Sequence, residues 1–186
     1  MPRINIIQPE EATGRLKEIY DELEKQRGQI AEVHKMQSLR PESIVKHMEL
    51  YMEIMFSRSL LSRAQREMIA VVVSMANNCS YCATHHGSAL HHYWKDEEKL
   101  KQLKVNYLEV DIPGNDMALC KYAEEVTLRP QNIEKLDPIA PLKGTGLSDA
   151  AILDATLVVA YFNFVNRMVQ SLGIEIEQDG GSNYKY

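Results

Sequence analysis

The chain has 186 residues, of which 45% are apolar and 25% are charged, and its formal net charge is −5. This composition predicts a globular protein with a real hydrophobic core, and an acidic chain without a basic run argues against a nucleic-acid-binding surface. We expect no signal peptide and no apolar stretch of membrane-spanning length. The three cysteines, an odd number with two clustered, do not suit a disulfide framework.

Apolar residues recur at helical spacing along nearly the whole chain, and strand-like alternation is nearly absent, so the sequence predicts an all-α fold. Helices are predicted over Glu10–Arg27 with Gly28 as C-cap, from Pro41, from Ser62 to about Ala76, from Cys79 to about Tyr93, over Asp96–Leu103, over Asn115–Leu128, and from Ser148 or Asp149 to about Leu172. We expect a single cytoplasmic domain spanning residues 1–186, without membrane association. Residues 1–40 would form a helical arm, 41–173 the core and 178–186 a mobile tail.

A weak internal repeat links the two halves of the chain. Residues 61–64, Leu-Ser-Arg-Ala, match residues 147–150, Leu-Ser-Asp-Ala, and the same offset of 86 positions aligns Asn77 with Asn163. One interpretation is a pair of similar helical hairpins around a pseudo-twofold axis. The other is a coincidence between two common helix starts.

The most informative motif is a pair of cysteines followed by a histidine. Cys79, Cys82 and His86 fall on one face of a predicted helix, and neighbouring turns hold Cα atoms about 5–6 Å apart, within the range of a disulfide. The helix N-terminus favours a thiolate at Cys79, whereas His86 can act as a base for Cys82. The motif therefore predicts dithiol redox chemistry, and these two effects leave open which sulfur attacks first.

A carboxylate is expected beside His86. If Asn77 and Asn78 form a tight turn between antiparallel helices, Glu67 lies level with His86 and starts a mostly apolar run. Such a carboxylate could orient His86 and raise its basicity. The alternative is that Glu67 is an acidic residue of the first helical turn, favoured by the helix dipole.

The pattern Glu67-x11-Cys79-x2-Cys82-x3-His86 resembles the signature of AhpD-type alkylhydroperoxidases in the carboxymuconolactone decarboxylase superfamily. Residues 61–67 and 147–167 also resemble its peroxidase-related branch. The resemblance implies an all-helical, homo-oligomeric protein (a dimer, trimer or hexamer). It also implies reduction of peroxides with electrons from a lipoyl or thioredoxin-like dithiol carrier, without metal or flavin. Cys82 would attack the peroxide, Cys79 would resolve the product, and His86 with Glu67 would relay protons.

One position departs from the family pattern. The founding members have a histidine directly before the second cysteine, where this chain has Tyr81. A phenol can donate a hydrogen bond but is a poor base at neutral pH. Tyr81 and the neighbouring His85 are therefore secondary candidates for the site.

Other interpretations of the motif are weaker. A structural zinc site usually draws ligands from separated segments, a c-type haem needs histidine where Ala83 stands, and a thioredoxin fold needs a preceding strand. The remaining alternative is a non-enzymatic helical oligomer whose dithiol senses redox state or mediates a protein contact. Cys120 is expected to be a buried free cysteine, and His34 and His47 have no visible partner.

Overall fold

The computed structural model describes residues 2–177, and this part of the chain is helical without a strand, as predicted. Its nine helices are α1 (Gly14–Arg27), α2 (Glu32–Lys35), α3 (Pro41–Phe56), α4 (Arg63–Ala76), α5 (Ser80–Trp94), α6 (Glu97–Asn106), α7 (Gly114–Leu128), α8 (Ala140–Gly144) and α9 (Asp149–Leu172). Short 3-10 segments lie at Pro9–Glu11, Tyr107–Glu109 and Pro130–Asn132. The tail predicted for 178–186 lies outside the described residues.

Local signals in the sequence set most helix ends. The Ser62 hydroxyl accepts a hydrogen bond from the Gln65 backbone N–H, and the Gln65 Oε1 accepts one from the Ser62 backbone N–H. These two hydrogen bonds are the predicted capping box of α4. Gly28 ends α1 with a φ of 85°, a left-handed conformation that glycine adopts without strain. The predicted start of α1 was wrong, because residues from Glu10 belong to the 3-10 segment and the α-helix begins at Gly14.

The core is built around α4, which packs against α5, α7 and α9. Every residue of α4 from Arg66 to Ser74 is buried. A helix surrounded in this way needs apolar residues on all sides, which is why residues 68–73 read as one continuous apolar run. The tight turn at Asn77 and Asn78, with Asn78 at a φ of 54°, then sends α5 back along α4.

The N-terminal arm forms a second apolar cluster on the outer side of α3. Leu16, Ile19, Tyr20 and Leu23 of α1 pack with Ile44 of α3. The Tyr20 hydroxyl donates to the Ile7 carbonyl oxygen at 3.0 Å, which ties the start of the chain to the same cluster.

The two segments of the internal repeat begin their helices in the same way, but the second segment does not form a hairpin. Ser62 and Ser148, 86 positions apart, both cap their helices through hydrogen bonds of 3.2 Å. Asn77 and Asn163 contact each other directly at 3.1 Å between α4 and α9. However, α9 continues as one helix to Leu172, where the first copy turns, so the second hairpin is not formed among the described residues.

The expectation that no apolar stretch reaches membrane-spanning length was wrong for α9. Its 24 residues satisfy length and composition criteria for a membrane span, and 50% of the most apolar window is buried within the fold. Core helices of globular proteins meet the same criteria, so one such helix is weak evidence for a membrane.

Candidate active site

The two cysteines lie at the start of α5, where the turn after α4 holds them in place. Cys79 is the N-cap of α5, and its backbone N–H donates to the Ser74 carbonyl oxygen at 2.8 Å while its own carbonyl accepts from the Ala83 N–H at 3.0 Å. Cys82 follows one turn later. Each cysteine is 2% exposed, and both are free thiols.

The two thiols interact with each other, which separates their acidities. A hydrogen bond from the Cys82 side chain lowers the pKa of Cys79 against the opposing effect of burial. The same bond, together with burial, raises the pKa of Cys82 well above its usual value, and a hydrogen bond from Asn166 on α9 opposes this only in part. Cys79 is thus the sulfur that more readily carries the negative charge in the reduced pair.

Glu67 lies against His86, as its distance from the turn predicted. The His86 Nδ1 is 2.7 Å from Glu67 Oε2, and Arg63 donates from Nε and Nη2 to Glu67 Oε1 at 2.8 and 2.5 Å. The interpretation of Glu67 as a first-turn acid was wrong, because α4 begins at Arg63 and the Glu67 side chain is 0% exposed. Burial alone would raise the pKa of Glu67, but His86 and Arg63 outweigh burial and hold it below its usual value.

This contact determines how a neutral His86 is protonated. A carboxylate only accepts hydrogen bonds, so Nδ1 carries the proton and Nε2 keeps a lone pair. The ring is held edge-on to Phe162, with their centroids 4.4 Å apart. A neutral His86 can therefore accept a proton at Nε2.

A small cavity lies beside these groups. Its volume is about 80 Å³, roughly half that of an engineered cavity that binds benzene. Helix α5 contributes Tyr81, Cys82, His85 and His86 to its wall; the other lining residues are Arg27, Ala31, Val33, His34, His47, Tyr51, Tyr161, Phe162 and Val165. Cys82 lines this cavity and Cys79 does not, so a small molecule in the cavity meets the Cys82 sulfur.

The two secondary candidates, Tyr81 and His85, are linked to the end of the described chain. The Tyr81 hydroxyl donates to Glu177 Oε1 at 2.8 Å, and His85 Nε2 lies 2.7 Å from Glu177 Oε2. The Glu32 backbone N–H also donates to Glu177 Oε1 at 3.0 Å. Burial opposes ionisation of Glu177, yet the hydrogen bonds from His85 and from the Glu32 backbone N–H lower its pKa to about 2. Tyr81 and His85, which line the cavity, therefore hold Glu177 against α5.

Sequence reasoning missed several residues of the site. His47, expected to lack a partner, is buried between Gln37 and Tyr161, and Asn166 reaches Cys82 from α9. Asn166 is fully buried in the structure. In the sequence, an asparagine within a mostly apolar helix is an unusual feature that could have drawn attention to it. Cys120 is buried as expected, and burial raises its pKa to about 12. In residues 2–177, no group of three His, Cys, Asp or Glu side chains is arranged to hold a metal ion.

Comparisons with known proteins agree on the fold. Residues 43–104 match the model of the carboxymuconolactone decarboxylase family. The structure is similar to the alkylhydroperoxidase AhpD core of an uncharacterized peroxidase-related protein from Ralstonia eutropha JMP134, with a TM-score of 0.84 and 25% identity over 97% of this chain and 94% of that chain. An uncharacterized peroxidase-related protein from Silicibacter sp. TM1040 gives a TM-score of 0.83 and 24% identity over 97% and 96%.

The same fold occurs in a protein with a different activity in its name. The debrominase Bmp8 gives a TM-score of 0.79 at 18% identity, over 97% of this chain and 95% of that chain. At this identity the similarity concerns the fold alone. No curated protein sequence matches the chain.

Proposed function

We propose that the protein is a thiol-dependent peroxidase, because residues 43–104 match the model of the carboxymuconolactone decarboxylase family and the fold is AhpD-like. It would reduce hydrogen peroxide or alkyl hydroperoxides through a Cys79–Cys82 dithiol–disulfide cycle. The observation that carries the proposal is the joint position of two interacting thiols, one of which lines a cavity shared with a histidine polarised by a buried carboxylate.

Cys82 makes the attack in this mechanism, because it is the cysteine that lines the cavity. His86 Nε2 accepts the Cys82 proton, and the thiolate attacks the terminal peroxide oxygen. An S–O bond forms as the O–O bond breaks, so sulfur is oxidised to a sulfenic acid and the other oxygen leaves as an alkoxide or hydroxide. That oxygen takes the proton from His86 and departs as alcohol or water.

Cys79 is suited to the second step by its position at the N-terminus of α5, one turn from Cys82, because a helix N-terminus favours a thiolate. Its thiolate attacks the Cys82 sulfenic sulfur, forms the disulfide and releases the hydroxyl group, which leaves as water once protonated. Cys79 also lies between exposed neighbours, Asn78 and Ser80, so an external dithiol would reach its sulfur first during re-reduction. We propose a lipoyl or thioredoxin-like protein as that donor, which becomes a disulfide as both cysteines regain their hydrogens.

The size of the cavity favours a small substrate. About 80 Å³ accommodates a hydroperoxide group with a short alkyl chain but not a bulky aromatic group. We therefore expect kcat/KM for hydrogen peroxide or ethyl hydroperoxide to exceed that for cumene hydroperoxide. The reverse order would show that the cavity is not where the substrate reacts.

Self-association is also part of the proposal. Leu153, Leu157 and Phe164 of α9 are 58%, 43% and 49% exposed, and their spacing puts them on one side of the helix. An apolar face of this kind suits contact with a second copy of the chain. Light scattering should therefore show an oligomer that Leu157→Lys weakens, and a monomeric native protein would contradict this part of the proposal.

A coupled peroxidase assay with several dithiol donors tests the activity. Cys79→Ser and Cys82→Ser should each reduce turnover to the rate of the donor alone, whereas Cys120→Ser, which alters a buried thiol outside the cavity, should keep the native rate. If both active-site variants match the native rate, the protein is not this peroxidase. A native protein that is oxidised once and never turns over would instead favour a redox-sensing role for the dithiol.

A further inference from the structure

A chain of hydrogen bonds leads from α3 to the cavity beside Cys82. The Gln37 Nε2 lies 2.7 Å from His47 Nδ1, and His47 Nε2 lies 2.6 Å from the Tyr161 hydroxyl. His47 and Tyr161 are 6% exposed, and both line the cavity that Cys82 enters. The catalytic steps described above use none of these three residues.

The direction of these hydrogen bonds follows from the partners at the far end. The Gln37 Nε2 also donates to the Val33 carbonyl oxygen at 2.9 Å, which fixes the orientation of the amide, because a carbonyl only accepts. The second hydrogen of the same NH2 group is therefore donated to His47 Nδ1. Burial lowers the pKa of His47 to about 4, so the ring is neutral at pH 7 and carries its one proton on Nε2.

His47 consequently donates to the oxygen of Tyr161, which leaves the hydroxyl hydrogen of Tyr161 for another acceptor. Among residues 2–177, His47 is the only hydrogen-bonding partner of this hydroxyl. Burial raises the pKa of Tyr161 well above its usual value, and the charge of Cys82 acts in the same direction, so the phenol stays protonated close to the reacting sulfur.

We propose that Tyr161 is a catalytic residue that donates a hydrogen bond to the peroxide oxygen on which negative charge develops as the O–O bond breaks. The inference rests on the proposed peroxidase function. No proton leaves the phenol: His86 protonates the departing oxygen, and Tyr161 stabilises the charge during bond cleavage. Gln37 and His47 are positioning residues, since they orient the hydroxyl without touching substrate.

The test is Tyr161→Phe, which removes the hydroxyl and keeps the ring. Tyr122→Phe is the matched control, because Tyr122 is also 6% exposed and its hydroxyl bonds to Thr156 at 2.7 Å, away from the cavity lining. Stopped-flow measurements would follow two half-reactions separately: oxidation of the reduced protein by hydrogen peroxide, and reduction of its disulfide by dithiothreitol.

Tyr161→Phe should slow the oxidation step about 100-fold, as loss of one such donor does elsewhere. The reduction step should stay within about twofold of native, because no O–O bond breaks there; this also shows that the variant is folded. Tyr122→Phe should leave both steps unchanged. His47→Leu keeps the Tyr161 hydroxyl but removes the hydrogen bond that orients it, so this variant should slow oxidation to a smaller extent.

Two results would overturn the inference, and they are distinguishable. If the native protein is active and Tyr161→Phe is oxidised at the native rate, Tyr161 has no catalytic role, whereas the peroxidase proposal is unaffected. A native protein that peroxide oxidises no faster than a free cysteine refutes the peroxidase proposal and the role of Tyr161 together.

Discussion

Replacing Glu67 with glutamine separates the proposed catalytic role of this carboxylate from its contribution to stability. The side chain is fully buried and accepts two hydrogen bonds from Arg63 on one oxygen and one from His86 on the other. Because the two Arg63 N–H groups need an acceptor, the carbonyl oxygen of the new amide would face Arg63. Its NH2 group would then face His86.

This orientation reverses the tautomer of His86. An NH2 group donates to His86 Nδ1, so a neutral ring must carry its proton on Nε2 and can no longer accept the Cys82 proton there. In the serine protease triad, the equivalent carboxylate-to-amide change costs about 10⁴ in kcat through a wrong tautomer. We expect Glu67→Gln to slow oxidation of the thiols by peroxide about 10³-fold or more.

The loss of folding stability in Glu67→Gln should be smaller than its effect on the oxidation rate. Removing one partner of a buried ion pair costs about 3–5 kcal/mol, and the remaining hydrogen bonds place glutamine at the lower end. For a chain of this size, about 3 kcal/mol corresponds to a fall in Tm of about 6–12 °C. Glu125→Gln is the control: it removes the charge from another glutamate–arginine pair four residues apart, in which Glu125 is 20% and Arg129 44% exposed, and should lower Tm and activity less than Glu67→Gln does.

The assay combines calorimetry with stopped-flow oxidation by peroxide at pH 7. A variant with lower Tm but native oxidation kinetics would show that Glu67 holds Arg63 and stabilises the fold without a role in proton transfer. A variant as stable as native would contradict the ion-pair argument instead.

Three further predictions concern other parts of the molecule. Because the pKa of Glu177 is lowered, its carboxylate stabilises the folded state above about pH 4.5, and this contribution disappears as pH falls towards about 2. Denaturation curves of the native protein and of Glu177→Gln should therefore differ at pH 6 and converge near pH 2. A difference that stays constant with pH would contradict the assignment. The raised pKa of Cys120 and the lowered pKa of Cys79 predict that iodoacetamide at pH 8 alkylates Cys79 before Cys120, and the opposite order under native conditions would contradict this. Ser148→Ala removes the cap of α9 and should cost about 1 kcal/mol in urea denaturation, whereas an unchanged midpoint would mean that the cap is not needed.

Features that depend on neighbouring residues were predictable from the sequence. The capping box at Ser62 and the C-cap at Gly28 follow from residue types within one turn. The contact of Glu67 with His86 was also accessible, because both residues lie at similar distances from one tight turn and antiparallel helices then place them side by side. The family resemblance supplied the roles of these residues, which geometry alone does not.

Features that depend on distant segments were not predictable. Tyr161 meets His47 across 114 positions and Glu177 meets His85 across 92, and no periodicity in the chain relates them. The four residues of α2 and the five of α8 are too short to show a helical period, so the sequence predicted neither helix. The second hairpin suggested by the weak repeat was wrong for a related reason. The residues that the start of α9 shares with α4 do not show that α9 continues beyond the position at which α4 ends.

Mapping the cysteines after one equivalent of hydrogen peroxide, without donor, shows whether Cys79 and Cys82 form the redox-active pair. Tryptic cleavage places Cys79 and Cys82 in one peptide, residues 67–95, and Cys120 in another. We expect the first peptide to lose about 2 Da and to resist alkylation, Cys120 to stay free, and a dithiol to restore the thiols of Cys79 and Cys82. Peroxide consumption with the thiols of the 67–95 peptide still free, or oxidation directed to Cys120, would rule out a Cys79–Cys82 redox cycle.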